Sequence, residues 1–238
     1  MRLYYLKRLN SKRTDIMKKI DIGKKILIEN EKHAFENILF LTEKKKLCLN
    51  VISSPGSGKT TILAKTITDL KGKIKIGVIE GDIQTDIDAE RIRATEAPAI
   101  QINTEGACHL SALQISQALK QLPVDNLDLI FIENVGNLVC PSAFELGEAG
   151  KIVVLSVAEG DDKPVKYPAI FAKSKVLLIN KIDLLEGGHV DFNIERVKAD
   201  ARKLNKDINI FPISAKTGEG MDDWYNWLQE SIKNNKQQ

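Results

Sequence analysis

The feature that most constrains the fold is a short glycine-containing segment between an apolar run and a helical pattern. Residues 53–60 read S-S-P-G-S-G-K-T, residues 47–52 before them are β-rich, and residues 61–70 after them have helical character. Glycines let successive backbone N–H groups converge on one point, and the start of a helix favours an anion there. A strand, such a loop and a helix in this order predict a phosphate-binding loop.

Lys59 and Thr60 are the residues of this loop with an expected chemical role. Lys59 should neutralise the β- and γ-phosphates of a nucleotide, and the Thr60 hydroxyl should ligate Mg²⁺. Ser53 stands where the pattern G-x-x-x-x-G-K-T has its first glycine, which is acceptable if Ser53 keeps a strand-like φ. The nucleotide-binding residues predicted from the loop are Pro55, Gly56, Ser57, Gly58, Lys59, Thr60 and Thr61.

Short β-rich runs alternate with helix-sized segments along the rest of the chain. Several of the runs are apolar throughout, as in strands that are covered on both faces. The alternation predicts an α/β fold of the P-loop NTPase type, a mostly parallel sheet of about seven strands with helices on both faces. The predicted strands cover residues 47–52, 74–79, 99–102, 129–132, 152–157, 176–179 and 208–213.

Composition and charge exclude several classes of protein. A content of 43% hydrophobic and 28% charged residues allows a sizeable core, and no apolar run approaches the roughly 18 residues of a membrane span. The first 16 residues hold five basic and one acidic side chain, so of the total charge of +3 the remaining chain carries −1. We therefore expect neither nucleic-acid nor membrane binding. Three widely spaced cysteines indicate free thiols in a reducing, cytoplasmic compartment.

Two carboxylates stand near the ends of predicted strands, where ligands of parallel sheets bind. Asp82 comes after the run 74–79, and Glu133 directly follows the run 129–132. Mg²⁺ prefers hard oxygens and usually takes only one or two carboxylates besides water. We therefore predict a magnesium site formed by Thr60, Asp82 and Glu133, which together with Lys59 forms the predicted catalytic set.

Two motifs at later strand ends point to a guanine base. Asn180, Lys181 and Asp183 follow the strand 176–179 and resemble the N-K-x-D motif of GTPases. Guanine presents N1–H and N2–H₂ donors, and an acceptor-only carboxylate such as Asp183 can take both, whereas adenine offers an acceptor at N1. A companion motif, expected to meet guanine O6 through its backbone, follows the strand 208–213 as Ser214, Ala215 and Lys216.

The N-terminal part of the chain is predicted to be separate from this GTPase. Residues 1–46 form an N-terminal arm and a leading helix in this interpretation, and residues 47–238 form the P-loop GTPase domain. Within residues 20–44, four apolar residues fall at spacings of 7, 4 and 3, which places them on one face of a helix. They are Leu27, Ala34, Ile38 and Leu41.

Cys108, His109 and Cys140 offer two thiolates and one imidazole. Taken alone they are weak signals, because free cysteines are common in protein cores. Five longer segments give them a context: E-G-D-I-Q-T-D (80–86), Q-I-N-T-E-G-A-C-H-L (101–110), I-E-N-V-G-N-L-V-C-P (132–141), E-G-D-D-K-P-V-K-Y-P (159–168) and T-G-E-G (217–220).

Together these segments closely resemble the HypB family, the nickel-incorporation GTPases of hydrogenase maturation. The resemblance extends from about the leading helix to Trp227 and implies that Cys108, His109 and Cys140 bind nickel or zinc at a two-fold homodimer interface. It also implies dimerisation dependent on nucleotide or metal, and two partners, a nickel-maturation protein and the hydrogenase large subunit. GTP hydrolysis should be slow unless a partner assists, because no arginine finger is evident in the sequence. Members often carry a histidine-rich tract or cysteine motif near the N-terminus, but residues 1–46 contain only His33.

Coupling between the two sites follows from chain order. Glu133 lies seven residues before Cys140, so one loop connects the γ-phosphate with a metal ligand. A loop ordered by the γ-phosphate and released on hydrolysis would move Cys140. For Cys108 and His109 no direct route to the γ-phosphate is expected.

Three alternatives stay open on the sequence alone. The first is a related metal-delivery GTPase that serves another metalloenzyme, for example urease or a cobalamin enzyme. The second is a P-loop kinase for a small molecule, in which the Asn180–Asp183 motif would have no role. The third is a nickel-binding module in which GTP only sets assembly.

Overall fold

Seven parallel strands of the described residues form one central sheet. The computed structural model describes residues 22–82, 86–188 and 190–237, without the side chains of residues 22–25, 82 and 86–89. The order β3-β2-β4-β1-β5-β6-β7 puts β1 in the middle, so the loop after β1 opens at the centre of one sheet edge. The strands are β1 (Leu47–Ser53), β2 (Ile76–Asp82), β3 (Ala99–Asn103), β4 (Leu129–Glu133), β5 (Gly150–Ser156), β6 (Ser174–Asn180) and β7 (Asn209–Pro212).

Helices cover both faces of this sheet. Alternate residues of β1 point to opposite sides, so Leu49 and Val51 join one apolar cluster and Cys48 joins another. The predicted P-loop α/β fold is therefore confirmed. The helices are α1 (Ile22–Glu43), α2 (Lys59–Asp69), α3 (Asp86–Arg93), α4 (Ala112–Gln121), α5 (Cys140–Ala143), α6 (Lys163–Lys166), α7 (Pro168–Lys173), α8 (Ile194–Leu204) and α9 (Met221–Gln237).

Several strands end later than the sequence pattern predicts. Asp82 and Glu133 are the last residues of β2 and β4 rather than residues after them. The ladder continues through both positions, because Asp82 pairs with Asn103 and Glu133 pairs with Val51. Neighbouring strands keep even a polar residue in the sheet as long as they supply hydrogen-bond partners.

The predicted apolar face of α1 is confirmed for only two of its four residues. Ala34 and Leu41 are buried, but Leu27 and Ile38 are 37% and 44% exposed. Among the described residues no helix has the length and apolarity needed to cross a membrane. The division of the chain after residue 46 stays a prediction.

Buried amides take the place of the missing apolar contacts of α1. The Asn37 side chain donates to the carbonyl oxygens of Ala112 and Leu146, both at 2.8 Å. The Asn30 side chain accepts from Ala112 N–H at 2.8 Å and donates to the Glu145 carbonyl at 2.7 Å. The helix thus packs on loop ends whose backbone groups need partners, which apolar spacing cannot reveal.

Helix α9 packs against α2, the helix that follows the phosphate loop. Trp224 is buried and donates from Nε1 to Thr66 Oγ1 of α2 at 3.1 Å. The Tyr225 hydroxyl donates to the Asp69 carboxylate at 2.7 Å. These contacts fix α2, and with it the loop, against the sheet.

Candidate functional site

The predicted phosphate loop lies between the end of β1 and the start of α2. Ser53, which stands at the expected first glycine, is a buried residue of β1. Gly58 caps α2 with φ of 97°, a left-handed conformation that favours glycine. Lys59 donates from Nζ to Ser53 Oγ at 3.1 Å. A cavity of about 450 Å³ opens over this loop, and Pro55, Gly56, Gly58, Lys59, Thr60 and Thr61 are among the residues that line it.

Thr60 and Glu133, predicted as magnesium ligands, lie side by side. The Thr60 hydroxyl donates to Glu133 Oε1 at 2.7 Å, and both residues line the cavity. Asp82, the third predicted ligand, ends β2, and its side chain lies outside the described part of the structure. Two adjacent hard oxygens at the helix start suit a hydrated Mg²⁺.

Sequence reasoning missed three residues around this cavity. Glu80 is buried and pairs with Glu133 across β2 and β4, and it lines the cavity together with Arg91. Glu159 contacts the loop from another strand end, because its carboxylate accepts from the Ser57 hydroxyl. Glu80 could have been found, since it directly precedes Gly81 and Asp82 at a strand end. No local pattern marks Arg91.

The predicted base-binding residues meet the phosphate loop directly. The Asn180 side chain donates to the Ser57 carbonyl at 2.9 Å and accepts from Ala215 N–H at 3.1 Å. Lys181 donates from Nζ to the Gly56 carbonyl at 2.8 Å. The two motifs from β6 and β7 are thereby joined to the loop from β1.

A second cavity of about 240 Å³ continues from the first, and Gly58, Thr61 and Lys181 line both. Asp183, Ala215 and Lys216 lie on its wall, and Ser214 orients the carboxylate by donating to Asp183 Oδ1 at 2.7 Å. An acceptor-only carboxylate in this cavity can receive the two donors of guanine.

Cys108, His109 and Cys140 come together at the same edge of the sheet. Their possible ligand atoms all lie within 4.8 Å of one another, and Cys108 is exposed to solvent. The hydrogen bond with Cys140, and after it burial, raises the pKa of the Cys108 thiol, while burial lowers the pKa of His109. Two sulfur donors and a neutral imidazole fit nickel or zinc better than Mg²⁺.

The ligands lie on two separate stretches, which we call the first metal segment (residues 108–110) and the second metal segment (residues 140–148). The His109 ring stacks on Phe144, with ring centroids 3.8 Å apart. Asn137 donates from its side chain to the Cys108 carbonyl at 3.2 Å. The ring stacking joins the two segments, and the Asn137 contact ties the first segment to the loop that precedes Cys140.

The expectation that Cys108 and His109 lack a direct route to the γ-phosphate stays a prediction, but the structure shows an indirect path from their segment to the nucleotide cavity. Leu110 N–H donates to the Asn134 side chain at 3.3 Å, and Asn134 directly follows Glu133. No local pattern predicts this contact, because it joins residues 24 positions apart.

The fold and these cavities define a P-loop nucleotide-binding protein that carries a separate cluster of thiol and imidazole groups. Residues 47–212 match the family model described as "CobW/HypB/UreG, nucleotide-binding domain". The chain is 52% identical over 204 residues to the hydrogenase maturation factor HypB of Escherichia coli K12, which covers 86% of this chain and 70% of that protein. It is 42% identical to the hydrogenase/urease maturation factor HypB of Helicobacter pylori J99, over 92% of this chain and 91% of that protein.

A solved structure gives the same result. The crystal structure of Helicobacter pylori HypB in complex with nickel has a TM-score of 0.81 and 41% identity, covering 87% of this chain and 96% of that one. The chain belongs to the HypB family of hydrogenase maturation factors.

Proposed function

We propose that this protein is a slowly GTP-hydrolysing metallochaperone that binds nickel or zinc and delivers nickel during maturation of [NiFe] hydrogenase. The observation that carries the proposal is the gathering of Cys108, His109 and Cys140 within 4.8 Å at the sheet edge that also bears the nucleotide cavity. A nickel-bound relative from Helicobacter pylori supports nickel as the cargo.

The nucleotide in this proposal is GTP with Mg²⁺. Lys59 neutralises the β- and γ-phosphates, while Thr60 and Glu133, together with Asp82, hold the hydrated ion. Asp183 accepts the guanine donors, and Asn180 ties the base site to the loop through its 2.9 Å hydrogen bond to the Ser57 carbonyl.

The metal site is proposed to be completed by a second copy of the chain. Three protein donors leave at least one coordination position for a further ligand. Cys108 is exposed, so the donor set reaches the surface of the protein. A two-fold homodimer, dependent on nucleotide or metal, brings two such sets of donors together. When the dimer dissociates, nickel is transferred to a maturation partner and then to the hydrogenase large subunit.

A nickel titration of the GDP and GTP-analogue forms tests this proposal, with dimerisation followed in the same samples. We expect one nickel site that contains thiolate sulfur, with an affinity that differs between the two nucleotide states. Cys140→Ala and Cys108→Ala should both weaken binding, because each removes a sulfur donor. Unchanged nickel affinity in both variants would contradict the metal site.

GTP turnover tests the nucleotide half. Lys59→Ala should abolish hydrolysis without unfolding the protein, because Lys59 is only half-buried and belongs to none of the apolar clusters. Turnover with and without the maturation partner separates a GTPase from a module in which GTP only sets assembly. Because the Helicobacter pylori relative is named as a hydrogenase/urease factor, activation of urease is a second delivery assay.

A further inference from the structure

A buried asparagine stands between the nucleotide cavity and the metal cluster. Asn134 is 2% exposed, directly follows Glu133, and lines the cavity over the phosphate loop. Its backbone N–H donates to the Val51 carbonyl of β1 at 3.0 Å. The residue is therefore fixed in the sheet at the point where the cavity and the loop toward Cys140 meet.

The side chain of Asn134 has an orientation that its partners dictate. Its Oδ1 accepts from the backbone N–H groups of Leu110 and Val135, at 3.3 and 3.0 Å. Both groups can only donate, so the amide oxygen must face them and the NH₂ group must point the other way. One of the two donors belongs to the first metal segment, next to His109.

The NH₂ group of Asn134 leads to the second metal segment. It donates to Asn50 Oδ1 at 3.2 Å, and the Asn50 NH₂ group donates to the Glu148 carboxylate at 3.0 Å. Glu148 also accepts from Leu146 N–H at 2.7 Å and forms an ion pair with Lys151 at 2.8 Å. All these side chains are almost fully buried, which leaves the chain of hydrogen bonds little room to rearrange without breaking.

We propose that Asn134 is the positioning residue through which the nucleotide state reaches both metal segments. The inference rests on the proposed function, and it extends the coupling from the loop before Cys140 to the side that carries Cys108 and His109. A shift of Glu133 and Asn134 with the γ-phosphate moves the first segment through Leu110 and the second through Asn50 and Glu148. Reciprocally, nickel that draws the two segments together changes the affinity for nucleotide.

Asn37 provides a matched control. It is also a buried amide, and it donates to the carbonyls of Ala112 and Leu146, which flank or belong to the same two segments. It reaches them from α1, however, and does not line the nucleotide cavity. If both amides only stabilise the fold, Asn37→Ala and Asn134→Ala should therefore have equal effects on the difference in nickel affinity between the two nucleotide states.

The test uses the full chain and measures nickel affinity from the absorption of the nickel–thiolate bond, with GDP and with a non-hydrolysable GTP analogue. The ratio of the two affinities, roughly 5–150-fold for typical couplings, should fall toward one in Asn134→Ala. In Asn50→Ala it should fall part of the way, since the contact with Leu110 remains. In Asn37→Ala the ratio should stay at the wild-type value, even if thermal stability drops. Because linkage is reciprocal, nickel should change the preference for the GTP analogue over GDP by the same factors in each protein.

Each result decides the inference. A wild-type ratio kept in Asn134→Ala overturns it, as does an equal loss of the ratio in Asn37→Ala, which would make the amides merely structural. If Asn134→Ala does not fold, an unchanged ratio in Asn50→Ala overturns it. If the wild-type protein itself has a ratio of one, the proposed coupling and this inference fail together. If only Asn134→Ala keeps the wild-type ratio, this inference fails and the proposed function remains intact.

Discussion

Replacing Gly58 with alanine should damage the phosphate loop far more than the same change at Gly56. Both glycines have positive φ, 97° and 76°, so each alanine pays for a left-handed conformation, about 1–2 kcal/mol. They differ in their surroundings. A Cβ at Gly58 would lie 2.5 Å from Asn180 Nδ2, whereas one at Gly56 meets nothing within 4 Å.

The extra loss at Gly58 follows from what Asn180 must give up. To make room, its amide has to leave the Ser57 carbonyl and Ala215 N–H, and two hydrogen bonds of about 0.5–1.5 kcal/mol each amount to about 1–3 kcal/mol. Urea denaturation of the nucleotide-free protein should show this difference between the variants, with equal slopes. Because domains have about 5–15 kcal/mol of stability, both variants should remain folded.

A double variant sharpens the test. In an Asn180→Ala background the clash is absent, so Gly58→Ala should cost no more than Gly56→Ala does in the wild type. Preference for GTP over ATP should fall in Gly58→Ala, because Asn180 belongs to the base site. Equal losses of unfolding free energy in the two single variants would refute the reasoning, since Asn180 would then yield at no cost.

Two further predictions concern single carboxylates. Asp183→Asn should weaken GTP binding and favour xanthosine nucleotides, because the amide can donate to xanthine O2; competition binding checks this, and wild-type GTP affinity would contradict the base site. Glu148 is the buried acid of the Asn50 network: burial opposes its ionisation, but Lys151 and Asn50 hold its pKa below the ordinary 4.5. Its contribution to the free energy of unfolding is therefore complete above pH 4.5 and is lost as the pH falls through the lowered pKa. The difference between wild type and Glu148→Gln, measured across acid pH, should shrink in that direction, and a constant difference would argue against the ion pair.

Local patterns predicted the fold and most of the site. Each signal was contained in one short stretch: glycines and Lys59 in a loop between strand and helix, or Asp183 after an apolar run. Binding sites that depend on residue type and chain order can be predicted in this way, because the carboxyl ends of parallel strands share one edge of the sheet. This is why Gly58, Asn180 and Ala215 could be assigned to one site before their contacts were known.

Only the tertiary structure decided what the polar residues between these motifs do. The burial of Asn37 and Asn134 has no signal in the sequence, since an asparagine in a helix or after a strand usually faces solvent. Their burial depends on backbone groups of Ala112, Leu146 and Leu110 that lie far away in sequence and need partners. The same holds for the contact between the two metal segments. The sequence determines which groups can donate or accept a hydrogen bond. Folding determines which of these groups are buried away from water and therefore need a hydrogen-bond partner within the protein.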